Sequence, residues 1–245
     1  MTKEEIEERN LRIIKDDPFY LKNIKDQTEE MCLTAVKMNV HTLEYVEDQT
    51  EEMCLFAVTQ NPITLSYVKN QSNKICLEAV KSNPDVIAYV KNQTEEICLE
   101  ALKQDGLLLI DVKNQTEAIC LAAVKQNGFS LQYVKNQSEE ICLEAIRETQ
   151  YAIRLINNKT EKIYSELFKE NINAISLINI NERSVIMIAL NASLQHKNKN
   201  KKILTNIIKH YDEDKEIINL YTKHKLWKYV DFSNLNNLSY YYMTL

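Results

Sequence analysis

Cysteine is the residue of this sequence with the most chemistry to offer, because a thiolate can bind a metal, attack a substrate or form a disulfide. All six cysteines recur at one interval of 22 residues, at Cys32, Cys54, Cys76, Cys98, Cys120 and Cys142. No Cys-x-x-Cys pair, the spacing typical of zinc ligands, occurs among them. The regular interval indicates one cysteine in each copy of a structural repeat.

The sequence carries no recognisable catalytic motif. Its four histidines are scattered, at His41, His196, His210 and His224. Two glycines are too few for a phosphate-binding loop, and neither His-Glu-x-x-His nor Gly-x-Ser-x-Gly occurs. Acidic pairs such as Glu51 and Glu52 stand at predicted helix starts, where the helix dipole accounts for them. We therefore predict a protein that is not an enzyme and that needs no cofactor or metal.

The element that positions these residues is a 22-residue repeat. Its unit reads roughly Gln-Thr-Glu-Glu-Ile-Cys-Leu-Glu-Ala-Val-Lys-Gln-Asn-Gly/Pro-x-x-Leu-x-Tyr-Val-Lys-Asn. A degenerate first copy begins near residue 5, and the interval continues to residue 190, which gives about eight full repeats and half of a ninth. Regular repeats of this length predict a solenoid, in which each copy packs against its neighbours.

Two series of capping residues predict two helices in each repeat. The first series precedes an apolar run and starts helix A, at Thr28, Thr50, Ser72, Thr94, Thr116, Ser138 and Thr160. The second series starts helix B, at Asp17, Asn39, Asn61, Asn83, Asp105 and Asn127. Every proline and glycine directly follows a member of this second series. Helix B, for example residues 62–70, is about two turns long and depends on neighbouring repeats for stability.

Helix A is predicted to bury its cysteine. At 100° per residue, the apolar residues between Ile97 and Leu102 cover an arc of about 200°, and Cys98 lies near its middle. Equivalent helices of neighbouring repeats lie about 8 to 10 Å apart, whereas a disulfide needs Cα atoms within about 7 Å. We therefore expect all six thiols to be reduced, free of metal and largely buried.

The predicted fold class is all-α: an α/α solenoid of 22-residue two-helix repeats with a C-terminal helical cap. Residues 1–190 form the array and residues 191–245 form the cap, after a basic, Asn-rich connector at residues 196–202. The last segment contains a dense aromatic set of the kind enriched at interfaces, at Trp227, Tyr229, Phe232, Tyr240, Tyr241 and Tyr242. This set could cover the last repeat or join two copies in a homo-oligomer.

Charge and hydropathy restrict the partners. The net charge of −5 disfavours nucleic acid, although a row of basic residues at one position of helix A keeps that alternative open: Lys37, Lys81, Lys103, Lys125 and Arg147. The first nine residues are charged where a signal peptide would be apolar, and no window approaches 18 apolar residues. We therefore expect a soluble, intracellular protein that does not enter membranes.

Two positions of helix B vary widely from repeat to repeat, unlike the positions that build the stack. The first series is His41, Ile63, Asp85, Leu107, Phe129 and Tyr151. The second series is Glu44, Ser66, Ala88, Ile110, Gln132 and Arg154. A position packed against identical neighbours would not change between charged, aromatic and aliphatic side chains, so we predict that these residues contact a protein partner. Unconstrained surface would vary in the same way.

The repeated motif resembles the helical repeats found in large, mostly uncharacterised protein families of mimivirus-like giant viruses of amoebae. The resemblance covers about residues 27–158, and the outer repeats and the residues after Arg183 depart from it. It implies no activity and no site residues. It implies a viral interaction scaffold, in the cytoplasm of the infected host cell or packaged in the virion. A nucleic-acid-associated or structural virion protein is the alternative.

Overall fold

The computed structural model describes residues 2–170, 172–178, 183–195, 204–205, 207, 214–223 and 225. Helices and short connections make up these residues, and no β-strand occurs among them. The fold is the predicted all-α solenoid, in which α-helices alternate with 3₁₀ helices. The chain divides into two compact units, an N-terminal unit of residues 1–126 and a C-terminal unit of residues 127–245.

The N-terminal unit contains six α-helices: α1 Lys3–Asp16, α2 Glu29–Met38, α3 Glu51–Gln60, α4 Asn73–Ser82, α5 Glu95–Gln104 and α6 Glu117–Gln126. Five 3₁₀ helices alternate with them: η1 Pro18–Asn23, η2 Val40–Tyr45, η3 Pro62–Tyr67, η4 Pro84–Tyr89 and η5 Gly106–Asp111. Within this unit, consecutive α-helices pack against each other, and each α-helix packs against the 3₁₀ helices next to it in the sequence. Consecutive 3₁₀ helices of the unit also pack against each other.

The C-terminal unit continues the alternation. Its α-helices in the described residues are α7 Glu139–Glu148, α8 Glu161–Glu170, α9 Arg183–Gln195 and α10 Lys215–Lys223. Its 3₁₀ helices are η6 Gly128–Tyr133, η7 Gln150–Leu155 and η8 Ile172–Leu177. Helix α9 runs through residue 190, where the sequence predicts that the array ends.

Both predicted series of capping residues act as helix caps. The Thr50 hydroxyl accepts a hydrogen bond of 3.3 Å from the Met53 amide at the start of α3. The Asn61 amide ends α3 by donating to the Ala57 carbonyl over 2.9 Å. The Asn61 side chain then starts η3 by accepting from the Ile63 amide over 3.2 Å. One asparagine thus ends one helix and begins the next, which keeps the connection to a single residue.

Helix B is shorter and more tightly wound than the sequence predicts. It is a six-residue 3₁₀ helix, Pro62–Tyr67 in η3, and not an α-helical segment through residue 70. The Leu65 carbonyl accepts hydrogen bonds from the Val68 amide at 3.1 Å and from the Gln71 side chain at 3.1 Å. These bonds hold the chain in an extended turn after Tyr67, and the next helix A begins only six residues later. A 3₁₀ helix also rises further per residue than an α-helix, which suits a short repeat.

The core consists of the same positions in successive repeats. In α3 they are Met53, Cys54, Ala57 and Val58, each at most 2% exposed. The 3₁₀ helix adds a leucine or isoleucine, and a Val or Ile follows at its end, as in Leu65 and Val68. All six cysteines are buried, at 1 to 3% exposure, which confirms the predicted orientation of helix A. Burying each repeat between neighbours stabilises helices too short to form alone.

The predicted C-terminal cap is described in part. Ile217 and Ile218 of α10 are buried, and so are Leu204 and Ile207. The connector at residues 196–202 lies outside the described residues, and so does the aromatic set of Trp227, Tyr229, Phe232, Tyr240, Tyr241 and Tyr242. Capping or self-association through that set therefore stays a prediction.

The glycine at the start of η6 fills a position with no room for a side chain. A Cβ atom on Gly128 would lie 2.7 Å from the Ala145 carbonyl oxygen and 2.8 Å from Cγ2 of Thr149. We expect Gly128→Ala to lower the free energy of unfolding by about 1 to 3 kcal/mol, since the clash is with backbone. Urea denaturation measures this loss.

Pro84→Ala is the matched control, because Pro84 holds the same repeat position and already carries a Cβ atom. Its effect should stay below about 1 kcal/mol, the usual range for changing the freedom of the unfolded chain. A loss for Gly128→Ala no greater than for Pro84→Ala would contradict the tight packing.

Candidate functional site

The residues predicted to contact a partner are the second and fifth residues of the 3₁₀ helices η2 to η7. In a 3₁₀ helix residues i and i+3 lie one above the other, so the two form a column on one face. The N-terminal ridge consists of four such columns: His41 with Glu44, Ile63 with Ser66, Asp85 with Ala88, and Leu107 with Ile110. The C-terminal ridge consists of two: Phe129 with Gln132, and Tyr151 with Arg154.

Both ridges are accessible to solvent. Their residues are exposed, apart from the half-buried His41 and Leu107. Four of them are large apolar side chains with exposed fractions of 47, 61, 44 and 48%: Ile63, Ile110, Phe129 and Tyr151. Single exposed apolar residues are ordinary on protein surfaces, but here they share one repeat face. The structure therefore places the predicted residues where a partner can reach them.

The supporting sides of η2 and η3 are buried or bonded to neighbouring groups. In η3 the residues between the two ridge positions, Thr64 and Leu65, are completely buried. The Thr64 hydroxyl donates to the Asn61 carbonyl over 2.7 Å. In η2 the ring of His41 lies edge-on to Tyr67 at 6.1 Å between centroids, and its Nε2 lies 3.3 Å from the side-chain nitrogen of Asn61. The column of η2 is thus joined to the next repeat.

The glutamine before each helix A clamps two successive 3₁₀ helices together. The Gln49 side-chain nitrogen donates to the Leu43 carbonyl of η2 and the Tyr67 carbonyl of η3, both over 2.9 Å. Its side-chain oxygen accepts from the Lys69 amide over 2.8 Å. The same three bonds recur at Gln27, Gln71, Gln93 and Gln137. We call this arrangement the glutamine clamp.

These glutamines are part of the repeat motif, but the sequence pattern assigns them no role. The signal that could have identified them is their constancy. A polar side chain that keeps its identity at every step, beside positions that vary freely, indicates hydrogen bonds to backbone groups, whose positions are the same in every repeat. The partners themselves cannot be read from the sequence, because they lie 6 residues before and 18 to 20 residues after the glutamine.

A second set of side chains satisfies the carbonyl groups after each 3₁₀ helix. The Lys91 ammonium donates to the carbonyls of Val68 and Lys69 over 3.0 and 2.9 Å. Lys113 makes the equivalent bonds to Val90 and Lys91 over 2.8 and 3.3 Å. The ammonium groups of these lysines therefore donate some of their hydrogen bonds to the protein's own backbone.

The cysteine thiols belong to the structural support. Sγ of Cys32 lies 3.4 Å from the side-chain oxygen of Gln27, and Sγ of Cys54 lies 3.8 Å from that of Gln49. Burial raises the pKa of Cys54 to about 11. Burial also raises the pKa of Cys32 to about 11, with further contributions from Asp48 and Glu47. The thiols are therefore protonated at neutral pH and donate weak hydrogen bonds to the clamp.

The predicted basic row lies on helix A and not on the ridges. Lys37, Lys81, Lys103, Lys125 and Arg147 are all exposed. Arg147 forms one ion pair within its helix, at 3.3 Å from Glu144, and a second with Glu166 at 2.8 Å. The hydrogen bond from Arg147 is the main cause that lowers the pKa of Glu166. Exposed pairs of this kind contribute little to stability.

Among the residues that the structure describes, no three His, Cys, Asp or Glu side chains come close enough together to hold a metal ion. None of the helices described there has the length and apolar character needed to cross a lipid bilayer.

Comparison with known protein families gives a match to part of the repeat array. Residues 94–137 match the family described as a domain of unknown function, DUF4116. The matched segment begins at the capping residue Thr94 and is twice the repeat length, so the resemblance is to the repeat itself. No curated protein and no solved structure matches the chain.

Removing one glutamine clamp should destabilise the N-terminal unit. We expect Gln71→Ala to lower the free energy of unfolding by about 1 to 3 kcal/mol, because two carbonyls, one of them part-buried, and one amide lose their partner. Gln60→Ala is the matched control, since Gln60 is an exposed residue at the end of α3. Urea denaturation of both variants measures the difference, and equal midpoints would show that the clamp contributes nothing.

The buried thiols predict a loss of stability at alkaline pH. Because burial raises their pKa above the value of about 8.5 in an unfolded chain, their contribution is complete below that pH and disappears as pH rises through about 11. The urea midpoint should therefore fall over this range, and less steeply in a Cys32→Ala, Cys54→Ala variant. Parallel curves for the two proteins would contradict the assignment.

Proposed function

We propose that the protein is a non-catalytic scaffold that binds a partner protein along its ridges. One observation carries this proposal: variable, exposed side chains stand at fixed points of a backbone whose supporting residues hardly change. The glutamine clamp, the capping asparagine and the buried leucine recur, while the ridge residues range from Asp85 to Phe129. This division of labour is what repeat proteins use to present a binding surface.

Rigid support makes such a surface effective. Binding costs less when side chains and backbone are already ordered, because less conformational entropy is lost. Phe129 and Tyr151, at 44 and 48% exposure, are the type of aromatic side chain that carries much of the energy at protein interfaces. The clamps and the buried faces of η6 and η7 hold the backbone that carries them.

Association with nucleic acid, or a structural role in a virion, is the alternative proposal. The basic row from Lys37 to Arg147 supports it. Against it, the N-terminal unit holds 14 Lys and Arg residues and 22 Asp and Glu residues, a net charge of −8. The C-terminal unit holds 16 and 13, a net charge of +3. Because counterion release requires a concentration of positive charge, protein binding is the better proposal for the N-terminal unit.

A viral origin belongs to the same proposal. The resemblance of the repeat to proteins of giant viruses supports it, together with the frequent use of Lys, Asn and Ile, which have AT-rich codons. The protein would then act in the cytoplasm of the infected host cell or inside the particle. Mass spectrometry of purified particles and of infected-cell extract would decide between these locations.

Two double variants separate the proposals. We expect Phe129→Ser with Tyr151→Ser to abolish recovery of a protein partner in affinity capture from expressing cells, because it removes the aromatic anchors. Lys81→Glu with Lys103→Glu should leave recovery unchanged, since these lysines lie on helix A. Capture with and without nuclease, followed by mass spectrometry, gives the readout.

The opposite pattern would overturn the proposal. Nucleic acid recovered in a salt-sensitive manner, and lost in the lysine variant while the aromatic variant retains it, would favour the alternative. Matching urea midpoints of both variants and the unmodified protein ensure that lost binding does not reflect lost folding.

A further inference from the structure

We infer that the N-terminal ridge binds an extended, basic protein segment in which Lys or Arg alternates with an apolar residue at intervals of three residues. This inference rests on the proposed function and adds the chemistry of the partner. It follows from the order of side chains along the ridge, from the spacing of the repeats and from the charge of their surroundings.

The four columns of the N-terminal ridge alternate between acidic and apolar. The column of η2 ends in Glu44, and the column of η4 begins with Asp85. Between them, η3 presents Ile63, and η5 follows with Ile110. All four side chains are exposed. Within the described residues, neither the Glu44 carboxylate nor the Asp85 carboxylate forms an ion pair or a hydrogen bond. A partner that matches this order would supply positive charge at every second repeat and apolar contact at the repeats between.

The spacing of the columns suits an extended chain. Neighbouring repeats place equivalent helices about 8 to 10 Å apart, and an extended chain rises about 3.3 Å per residue. Three residues of a partner therefore span one repeat. A segment with basic residues at every sixth position and apolar residues halfway between would match the ridge. It would place one basic residue at each acidic column and one apolar residue at each apolar column.

The surroundings of the ridge carry charges of both signs. Glu47 and Asp48 follow η2, and Asp111 ends η5. The lysines at the position of Glu47 in the next three repeats direct their ammonium groups to backbone carbonyls, as Lys69, Lys91 and Lys113 do. The N-terminal unit as a whole carries a net charge of −8, which favours the approach of a positively charged segment.

The C-terminal ridge provides an internal contrast. Its columns contain two aromatic rings, an amide and the guanidinium of Arg154, and no carboxylate. A basic segment gains nothing from charge there. The inferred specificity therefore belongs to the N-terminal ridge, and substitutions of Phe129 and Tyr151 should not affect it.

A synthetic peptide tests the inference directly. The probe is fluorescently labelled Lys-Ser-Ser-Leu-Ser-Ser-Lys-Ser-Ser-Leu-Ser-Ser-Lys, which reads the same in both directions, so its orientation on the ridge does not matter. One control peptide has the same composition with the lysines adjacent and the leucines adjacent. A second control has glutamate in place of lysine. Fluorescence anisotropy with the full chain measures the three dissociation constants.

We expect the alternating probe to bind at least about tenfold more tightly than either control peptide, a ratio that corresponds to a few exposed charge contacts. Glu44→Lys with Asp85→Lys should weaken it by about tenfold, because two attractions become repulsions. The charge-matched control, Glu30→Lys with Glu95→Lys, reverses exposed acids on helix A and should change binding by less than about twofold. Urea midpoints establish that each variant is folded.

Three results would overturn the inference. If the two charge-reversal variants weaken binding of the probe equally, the probe responds to the overall charge of the protein and not to the ridge. If the alternating probe does not bind, the inference that the partner is a basic segment is wrong. The proposed function is tested separately, by the affinity capture of a partner protein. The glutamate peptide could instead bind as tightly as the alternating probe and lose its binding in the Ile63→Ser, Ile110→Ser variant. The ridge would then be a binding surface without a preference for positive charge.

Discussion

The hydrogen bonds of one glutamine side chain control the geometry of each repeat. A 3₁₀ helix of six residues leaves carbonyl groups without partners in its own turn, and leaving them unsatisfied in a part-buried position would be costly. The Gln49 side-chain nitrogen donates to one carbonyl in each of two successive 3₁₀ helices. Its side-chain oxygen accepts a hydrogen bond from the Lys69 amide, which follows the second of these helices. A single side chain thus fixes the distance and the register between neighbouring repeats. The short helices, the constant core and the regular ridges all depend on that register.

The chemistry of the cysteines follows from the same arrangement. The Cys32 and Cys54 thiols lie beside the clamp, where burial keeps them protonated and where they face a glutamine oxygen. Cysteine is small and apolar enough to pack beside Ala57 and Val58. Its S–H group is a weak donor, which suits the glutamine side-chain oxygen because that oxygen already accepts a stronger hydrogen bond from a backbone amide. The feature of the sequence that looked most reactive is therefore part of the packing.

Much of this structure could be predicted because a repeat states each constraint several times. The interval of the cysteines, the two series of capping residues and the apolar arc of helix A predict an all-α array and the buried side of each helix. The 3₁₀ winding could not be predicted, because six residues are too few to show a periodicity. The clamp was missed because its partners are backbone atoms, which have no sequence signal. Exposure of Ile63 and Tyr151 followed from their variability, but their placement in columns needed the 3₁₀ geometry.

The bonds between repeats also determine how such a chain can grow. Each Gln49-type clamp reaches one repeat forward, and the Gly106 and Gly128 amides likewise donate to Gln126 and Glu148, 20 residues later. Duplication of 22 residues, or of a multiple, recreates every donor with its acceptor, whereas an insertion of any other length separates them. Gene duplication can therefore lengthen the array in whole steps. Each new copy arrives with its backbone bonds complete and with two surface positions open to selection.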